Sequence, residues 1–323
     1  MTAAIEHWPL AQSFSISRGT KTEATVIVAE ISEGVRKGRG ECTPYARYGE
    51  TPEAVLQAIE AMKTPLAQGM DRRALQSAMP KGAARNAIDC ALWDLEAKRA
   101  QHPVHELASL PPLRPVTTAY TISLDTPEAM AASAAKNASW PLLKIKLGRT
   151  GDAARLSAIR QAVPQAQLIV DANEGWTPDN LAENFAACQA AGVTLIEQPL
   201  PQAEDDILKN IAHSVALCAD ESMSDCASLK ALSGKYEAVN IKLDKTGGLT
   251  EALAAAQLAK EMGFSIMTGC MVATSLAMAP AFLLAQQAQI VDLDGALLLA
   301  KDRPQGISYD NHIMQPPLPV LWG

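Results

Sequence analysis

Leu142-Leu143-Lys144-Ile145-Lys146-Leu147 is an apolar run of strand length carrying two lysines. Comparable short runs follow it, and each closes on an ionisable residue: Asp171 in LIVDAN, Glu197 in LIEQP, Asp220 in CADES and Lys242 in NIKL. Lys146, Asp171, Glu197, Asp220 and Lys242 are spaced by 25, 26, 23 and 22 residues, one strand-plus-helix unit each time. Working outward, further runs at 117–123, 265–268 and 290–294 bring the strands to eight, with Ala-rich helical stretches between most of them. Apolar strands of this kind are buried on both faces, which points to a parallel (β/α)8 barrel. A doubly wound open sheet is the other architecture with this rhythm, but no strand leads into GxGxxG or GxxxxGK[ST].

The first hundred residues read differently. Segments 12–18, 23–31 and 36–42 form an antiparallel meander with turns at Arg18-Gly19 and Glu33-Gly34. Thr51-Pro52-Glu53 opens a helix over 51–64, and residues 82–100 show the apolar spacing of an amphipathic helix through Ala84, Ile88, Leu92 and Leu95. The Pro-rich stretch 110–115 marks a boundary. The expected organisation is an α+β capping domain over 1–112 and the barrel over 113–299. Residues 300–323, rich in proline, are expected to pack back on the capping domain.

The chain has 323 residues, 48% hydrophobic and 20% charged, which excludes a disordered or fibrous protein. Its net charge of −7, without a basic run, argues against nucleic-acid binding. No apolar stretch reaches membrane-spanning length, and the N-terminus lacks a signal peptide's pattern. Six scattered cysteines without CxxC spacing read as free thiols in a reducing cytoplasm.

In a barrel all C-terminal strand ends face one mouth, where active sites of this fold lie. Any one of these charges reads as a solvated strand end, but six in register do not. Asp171, Glu197 and Asp220 on consecutive strands would repel unless a cation compensates them. Their all-oxygen character suits Mg²⁺, with Mn²⁺ accepting the same donors, and disfavours zinc. His102 and His105, in a Pro-containing loop, read as surface or packing residues. Lys144 and Lys146 share a strand face about 6–7 Å apart. At an effective dielectric of ~20 their repulsion is about 2–3 kcal/mol, enough to lower a lysine pKa by roughly two units. Lys242 approaches from four strands away. One acid/base on each side of a metal-bound carboxylate suits removal and return of an α-proton with inversion, through an enediolate.

The series LLKIKL, DAN, EQP, ADES and NIKLDKTGG resembles the enolase superfamily in its muconate-lactonizing subgroup, over essentially the whole chain. That resemblance implies a capping domain over a modified TIM-type barrel, Lys146 and Lys242 as the two acid/bases, and Lys144 beside the enolate oxygen. It implies Asp171, Glu197 and Asp220 as Mg²⁺ ligands. Lys245 matches a family position without a catalytic role. The segment SIMTGCM lacks the histidine base of the mandelate-racemase-like relatives. Within the subgroup, ECTPYARYGE, GCMVATS and VDLDGALLLA resemble the dipeptide epimerases. Asp292 and Asp294 at the eighth strand end would receive a dipeptide's ammonium, which the substrates of cycloisomerases and acylamino-acid racemases lack. By resemblance Arg18 would pair with a glutamate side chain, and Thr121 and Cys270 would touch substrate. The implied partner is a small dipeptide, L-Ala-D-Glu/L-Ala-L-Glu foremost, in murein peptide recycling. Another reaction of the subgroup (o-succinylbenzoate synthesis, cycloisomerisation or N-acylamino-acid racemisation) is the alternative.

Overall fold

A computed structural model describes residues 1–323. The meander is present as β1 (Thr2–Ile16), β2 (Gly19–Glu33) and β3 (Arg36–Cys42), paired antiparallel in that order. β1 starts ten residues earlier than its β-branched content suggests. Residues 2–9 are held by pairing with Glu23–Glu30 of β2, which β-branched content in the segment does not reveal. The β1–β2 register shifts between Pro9 and Phe14, and proline is tolerated only at such an edge or bulge. The displaced segment turns toward the barrel instead, where Ala300 N donates to Pro9 O at 2.8 Å.

Three helices, α1 (Pro52–Ala61), α2 (Lys63–Ala67) and α3 (Arg72–Ala78), lead to α4 (Ala83–Ala100). α4 is not the one-sided amphipathic helix that its spacing suggests. Arg85, Asn86, Asp89 and Asp94 are all buried on it. Buried polar groups must find partners, and these find them across the molecule. Arg85 donates to Thr246 O at 2.6 Å, Asn86 to Asp244 at 2.8 Å, and Asp89 accepts from Thr250 N at 2.9 Å. Its other face lies on β3 so closely that a Cβ at Gly40 would stand 2.1 Å from Ala87 O.

Next comes the short β4 (Val116–Thr117). The barrel strands are β5 (Tyr120–Ile122), β6 (Leu142–Lys146), β7 (Gln167–Asp171), β8 (Val193–Glu197), β9 (Ala216–Ala219), β10 (Ala238–Ile241), β11 (Ser265–Gly269) and β12 (Ile290–Asp292). They pair parallel in sequence order. Ala119 N donates to Val291 O at 2.8 Å and joins the first strand to the last. Ala119, Leu142, Ile169, Leu195, Cys218, Ala238 and Met267 fill one core cluster, and the opposite strand faces pack on helices. The run 117–123 is thus two strands rather than one. β4 leaves the barrel to join β14 (Ile313–Met314), itself paired with β13 (Tyr309–Asp310). The C-terminus reaches the first domain: Trp322 Nε1 donates to Cys90 O at 3.0 Å and Gly323 N to Asp94 at 2.8 Å. All six cysteines are free.

Asp244 lies buried at this junction, accepting from Thr43 N at 3.0 Å and from Asn86. Burial pushes its carboxyl up to about 7. The folded protein therefore keeps a proton that the unfolded chain releases near pH 4. That stabilisation is complete below pH 4 and is lost as pH rises through 7. Asp244→Asn mimics the protonated group. The stability difference between variant and parent, from urea titrations, is expected to grow by about 2–3 kcal/mol between pH 5 and pH 8 in the variant's favour. A difference independent of pH would refute this.

Candidate active site

The strand register builds the site. Lys146 stands opposite Asp171, and Asp171 opposite Glu197, so three strand ends present one layer of charge. Asp220 follows β9 and Lys242 follows β10 at the same mouth. One ligand oxygen from each of Asp171, Glu197 and Asp220 lies within 4.8 Å of the others, and all three residues are buried. Above them opens a cavity of about 400 Å³, walled by Lys144, Lys146, Asp220, Lys242, Asp292 and Asp294 from the barrel and by the β1–β2 hairpin and residues 43–48 from the first domain.

Four lysines balance these acids. Lys146 Nζ is 2.6 Å and Lys144 Nζ 3.2 Å from the same Asp171 oxygen. Lys144 also reaches Asp292 at 2.7 Å and Glu197 at 2.6 Å. Lys242 is 2.7 Å from Asp220, and Lys245 is 2.5 Å from its other oxygen. The bare Lys144–Lys146 repulsion expected from spacing is therefore offset by a shared carboxylate. Burial opposes charge on Lys144 and Lys242, but Asp292 and Glu197 on the first, and Asp220 and Glu197 on the second, hold both well above the ordinary lysine value. For Lys144 this reverses the lowering that spacing suggested. Burial likewise opposes ionisation of Asp171 and Asp220, yet Lys146 and Lys144 hold Asp171 low, and Lys242 and Lys245 hold Asp220 low. Glu197 is pushed up to about 7 by burial and Asp171.

These residues fit a hard divalent cation. The donors are all carboxylate oxygens, and Glu197 Oε2 is buried without a hydrogen bond, Lys144 lying close but off the bonding direction. The lysines already supply counter-charge, so the fit rests on the donor type and on that unbonded oxygen.

The remaining expected residues reach the same cavity. Asp294 accepts from Thr121 N at 2.7 Å, and burial with neighbouring Asp292 pushes it to about 7. Asp292 Oδ1 is buried without a partner. Cys270 Sγ lies 3.4 Å from Asp292 O. Arg18 crosses from the hairpin to the barrel, donating to Glu221 at 2.7 Å, Asn173 O at 2.7 Å and Tyr45 OH at 3.0 Å.

Sequence reasoning missed several groups. Asn240 donates to Glu197 at 2.7 Å. It lies two residues before Lys242, so the strand alternation that paired the other residues could have found it. Glu221, beside Asp220, is raised by burial and by Asp220 and Asp171. Arg47 grips Glu174 through two bonds of 2.6 and 2.7 Å. Nothing local in the sequence marks that tie between domains. His102 bonds Glu106 in the open, far from this chemistry in role.

Residues 1–108 match the mandelate racemase / muconate lactonizing enzyme N-terminal domain, and residues 128–316 match the enolase C-terminal domain-like family. The chain is 49% identical over 299 residues to the L-Ala-D/L-Glu epimerase of Escherichia coli (strain K12), covering 92% of this chain and 93% of that protein. It is 47% identical over 300 residues to the N-acetyl-D-glutamate racemase of a Pseudoalteromonas species, covering 92% and 95%. Among solved structures, an enolase family member from Agrobacterium tumefaciens with bound sodium and L-Ala-L-Glu superposes with a TM-score of 0.99 at 51% identity, covering 100% of this chain and 99% of that one. A dipeptide epimerase from Enterococcus faecalis complexed with Mg and L-Leu-L-Tyr superposes at 0.90 with 29% identity, covering 98% and 96%.

Proposed function

The chain belongs to the enolase superfamily, with a mandelate racemase / muconate lactonizing enzyme N-terminal domain, and from that premise we propose that it is a Mg²⁺-dependent dipeptide epimerase acting on L-Ala-D-Glu and L-Ala-L-Glu. The observation that carries this reading is the pair Lys146 and Lys242, held at one cavity floor on either side of the carboxylate trio. Asp171, Glu197 and Asp220 would hold the cation, Mn²⁺ being an acceptable substitute. When bound, it would supply Lewis-acid stabilisation of charge developing on the substrate carboxylate.

The chain's own residues do the proton work. One lysine takes the proton from the α-carbon, and the other returns a proton to the opposite face, so configuration inverts. Lys242, bonded to Asp220 at 2.7 Å, is the donor in one direction and, as the neutral amine left by that donation, the acceptor in the reverse, while Lys146 does the converse. Lys144 places a third positive charge beside Asp171 and Glu197, next to where the substrate carboxylate would sit. Asp292 and Asp294 would receive the dipeptide ammonium. The unpartnered, buried Asp292 Oδ1 supports that assignment. Arg18, already bonded to Glu221 and Tyr45, would present positive charge to the glutamate side chain. The Pseudoalteromonas relative favours a second reading, racemisation of an N-acylglutamate by the same two lysines.

Proton NMR of L-Ala-D-Glu with enzyme and Mg²⁺ in D₂O tests the proposal. The glutamate α-proton signal is expected to fade while the L,L diastereomer appears. No exchange with either diastereomer would overturn it.

A further inference from the structure

Three non-glycine residues at the mouth hold left-handed backbone: Asn173 at φ 45°, Glu174 at 61° and Gln198 at 36°. Such conformations are uncommon for residues with a Cβ and persist where surroundings enforce them. Two of the three flank the carboxylate series directly. Asn173 lies two residues after Asp171, and Gln198 immediately follows Glu197.

Gln198 is fully buried, and every one of its polar atoms is engaged. Its side-chain oxygen accepts from Asp220 N at 2.9 Å and from Ser222 N at 3.1 Å. Its amide nitrogen lies within hydrogen-bond distance of Leu200 O, Ser222 Oγ and Tyr236 OH at 2.9, 2.9 and 3.0 Å. Its backbone N donates to Cys218 O at 2.9 Å, and its backbone O accepts from Glu174 N at 2.9 Å. One residue is thus tied to the ends of β7, β8 and β9, the three strands that deliver Asp171, Glu197 and Asp220.

The side chain is itself braced from behind. Asp205, buried, accepts from Ser222 Oγ at 2.7 Å and Tyr236 OH at 2.9 Å, and pairs with Lys235 at 2.5 Å. The rigidity of the grip on the Asp220 peptide therefore comes from the protein interior, away from the cavity.

We propose that Gln198 is a positioning residue that sets the spacing of the three carboxylates by clamping the backbone on both sides of the Asp220–Glu221 pair to the end of β8. The inference rests on reading those carboxylates as cation ligands. It concerns the backbone register between them, not their identity. Outer groups that orient ligands typically change metal affinity by about 10–100-fold when removed.

The test is calorimetric titration of Mg²⁺ into the metal-stripped protein without dipeptide, beside thermal melting in EDTA. Gln198→Met deletes the clamp at nearly constant volume and is expected to raise the Mg²⁺ dissociation constant at least tenfold. Ser222→Ala and Tyr236→Phe remove bonds from the same network but leave the Gln198 oxygen on both backbone N–H groups. They are expected to lower the melting temperature while changing the Mg²⁺ constant less than threefold. Should Gln198→Met fail to fold, Gln198→Asn keeps a buried amide one methylene short of the Asp220 peptide and is expected to show the same loss. An unchanged constant in the Gln198 variants, or an equal loss in Ser222→Ala and Tyr236→Phe, would overturn the inference and leave the proposed function standing. No Mg²⁺ binding by the unsubstituted protein would overturn the ligand reading itself, and the clamp with it.

Discussion

Lys242→Ala and Lys146→Ala are each expected to lower kcat for epimerisation by about 10³-fold or more, since each deletes one of two obligatory proton carriers. Neither should unfold the protein. Without Lys146, Asp171 keeps Lys144 at 3.2 Å, and without Lys242, Asp220 keeps Lys245 at 2.5 Å. Neither carboxylate is left as an uncompensated buried charge, which is the usual cause of collapse on breaking a buried pair. A finer result should accompany the loss. In D₂O each variant still has one lysine, so it should exchange the α-proton of one diastereomer without inverting it. The two variants should differ in which diastereomer they exchange. Full turnover in either variant, or exchange of both diastereomers by one of them, would rule out one lysine on each face.

The second large effect concerns substrate choice between two chemistries that share the lysines. Asp294→Asn keeps an oxygen able to accept from Thr121 N but removes a charge at the end of the eighth strand. Hydrogen bonds to charged groups contribute about 1.5–3 kcal/mol, so kcat/KM for L-Ala-D-Glu should fall about 10–100-fold, chiefly through KM. N-acetyl-D-glutamate has no ammonium and should be unaffected or improved. pH supplies an independent check. Burial and Asp292 place the Asp294 carboxyl at about 7, so the unsubstituted enzyme should lose dipeptide affinity as pH falls through 7 and Asp294 is neutralised. The asparagine variant should lack that limb. An equal fall for both substrates would remove the ammonium role and favour the N-acylglutamate reading.

The chemistry was legible because a parallel barrel converts sequence position into spatial position with little freedom. A residue at a strand's C-terminal end can point only to one mouth. Lys146, Asp171 and Glu197 therefore had to meet once their strands were recognised, and their paired register follows directly. The donor type followed as well, since three carboxylates with no cysteine or histidine select a hard cation. The same directness held for the antiparallel meander, whose turns are local.

What lay outside the reach of the chain's pattern depends on contacts between distant residues. α4 looked one-sided because its polar positions read as solvent-facing. They are buried, and their partners at Thr246, Asp244 and Thr250 lie more than 150 residues away. Spacing suggested a lowered pKa for Lys144, since it reveals repulsion along the strand but not the Asp292 and Glu197 carboxylates that hold this ammonium charged. Gln198 has no charge to mark it in EQP, yet its amide reaches across to the Asp220 peptide at the end of the next strand. Propensity and periodicity act over a few residues, so they describe elements and which way their side chains point. Ion-pair networks and backbone clamps are settled by what each side chain meets after folding, and here that is another strand end or the other domain.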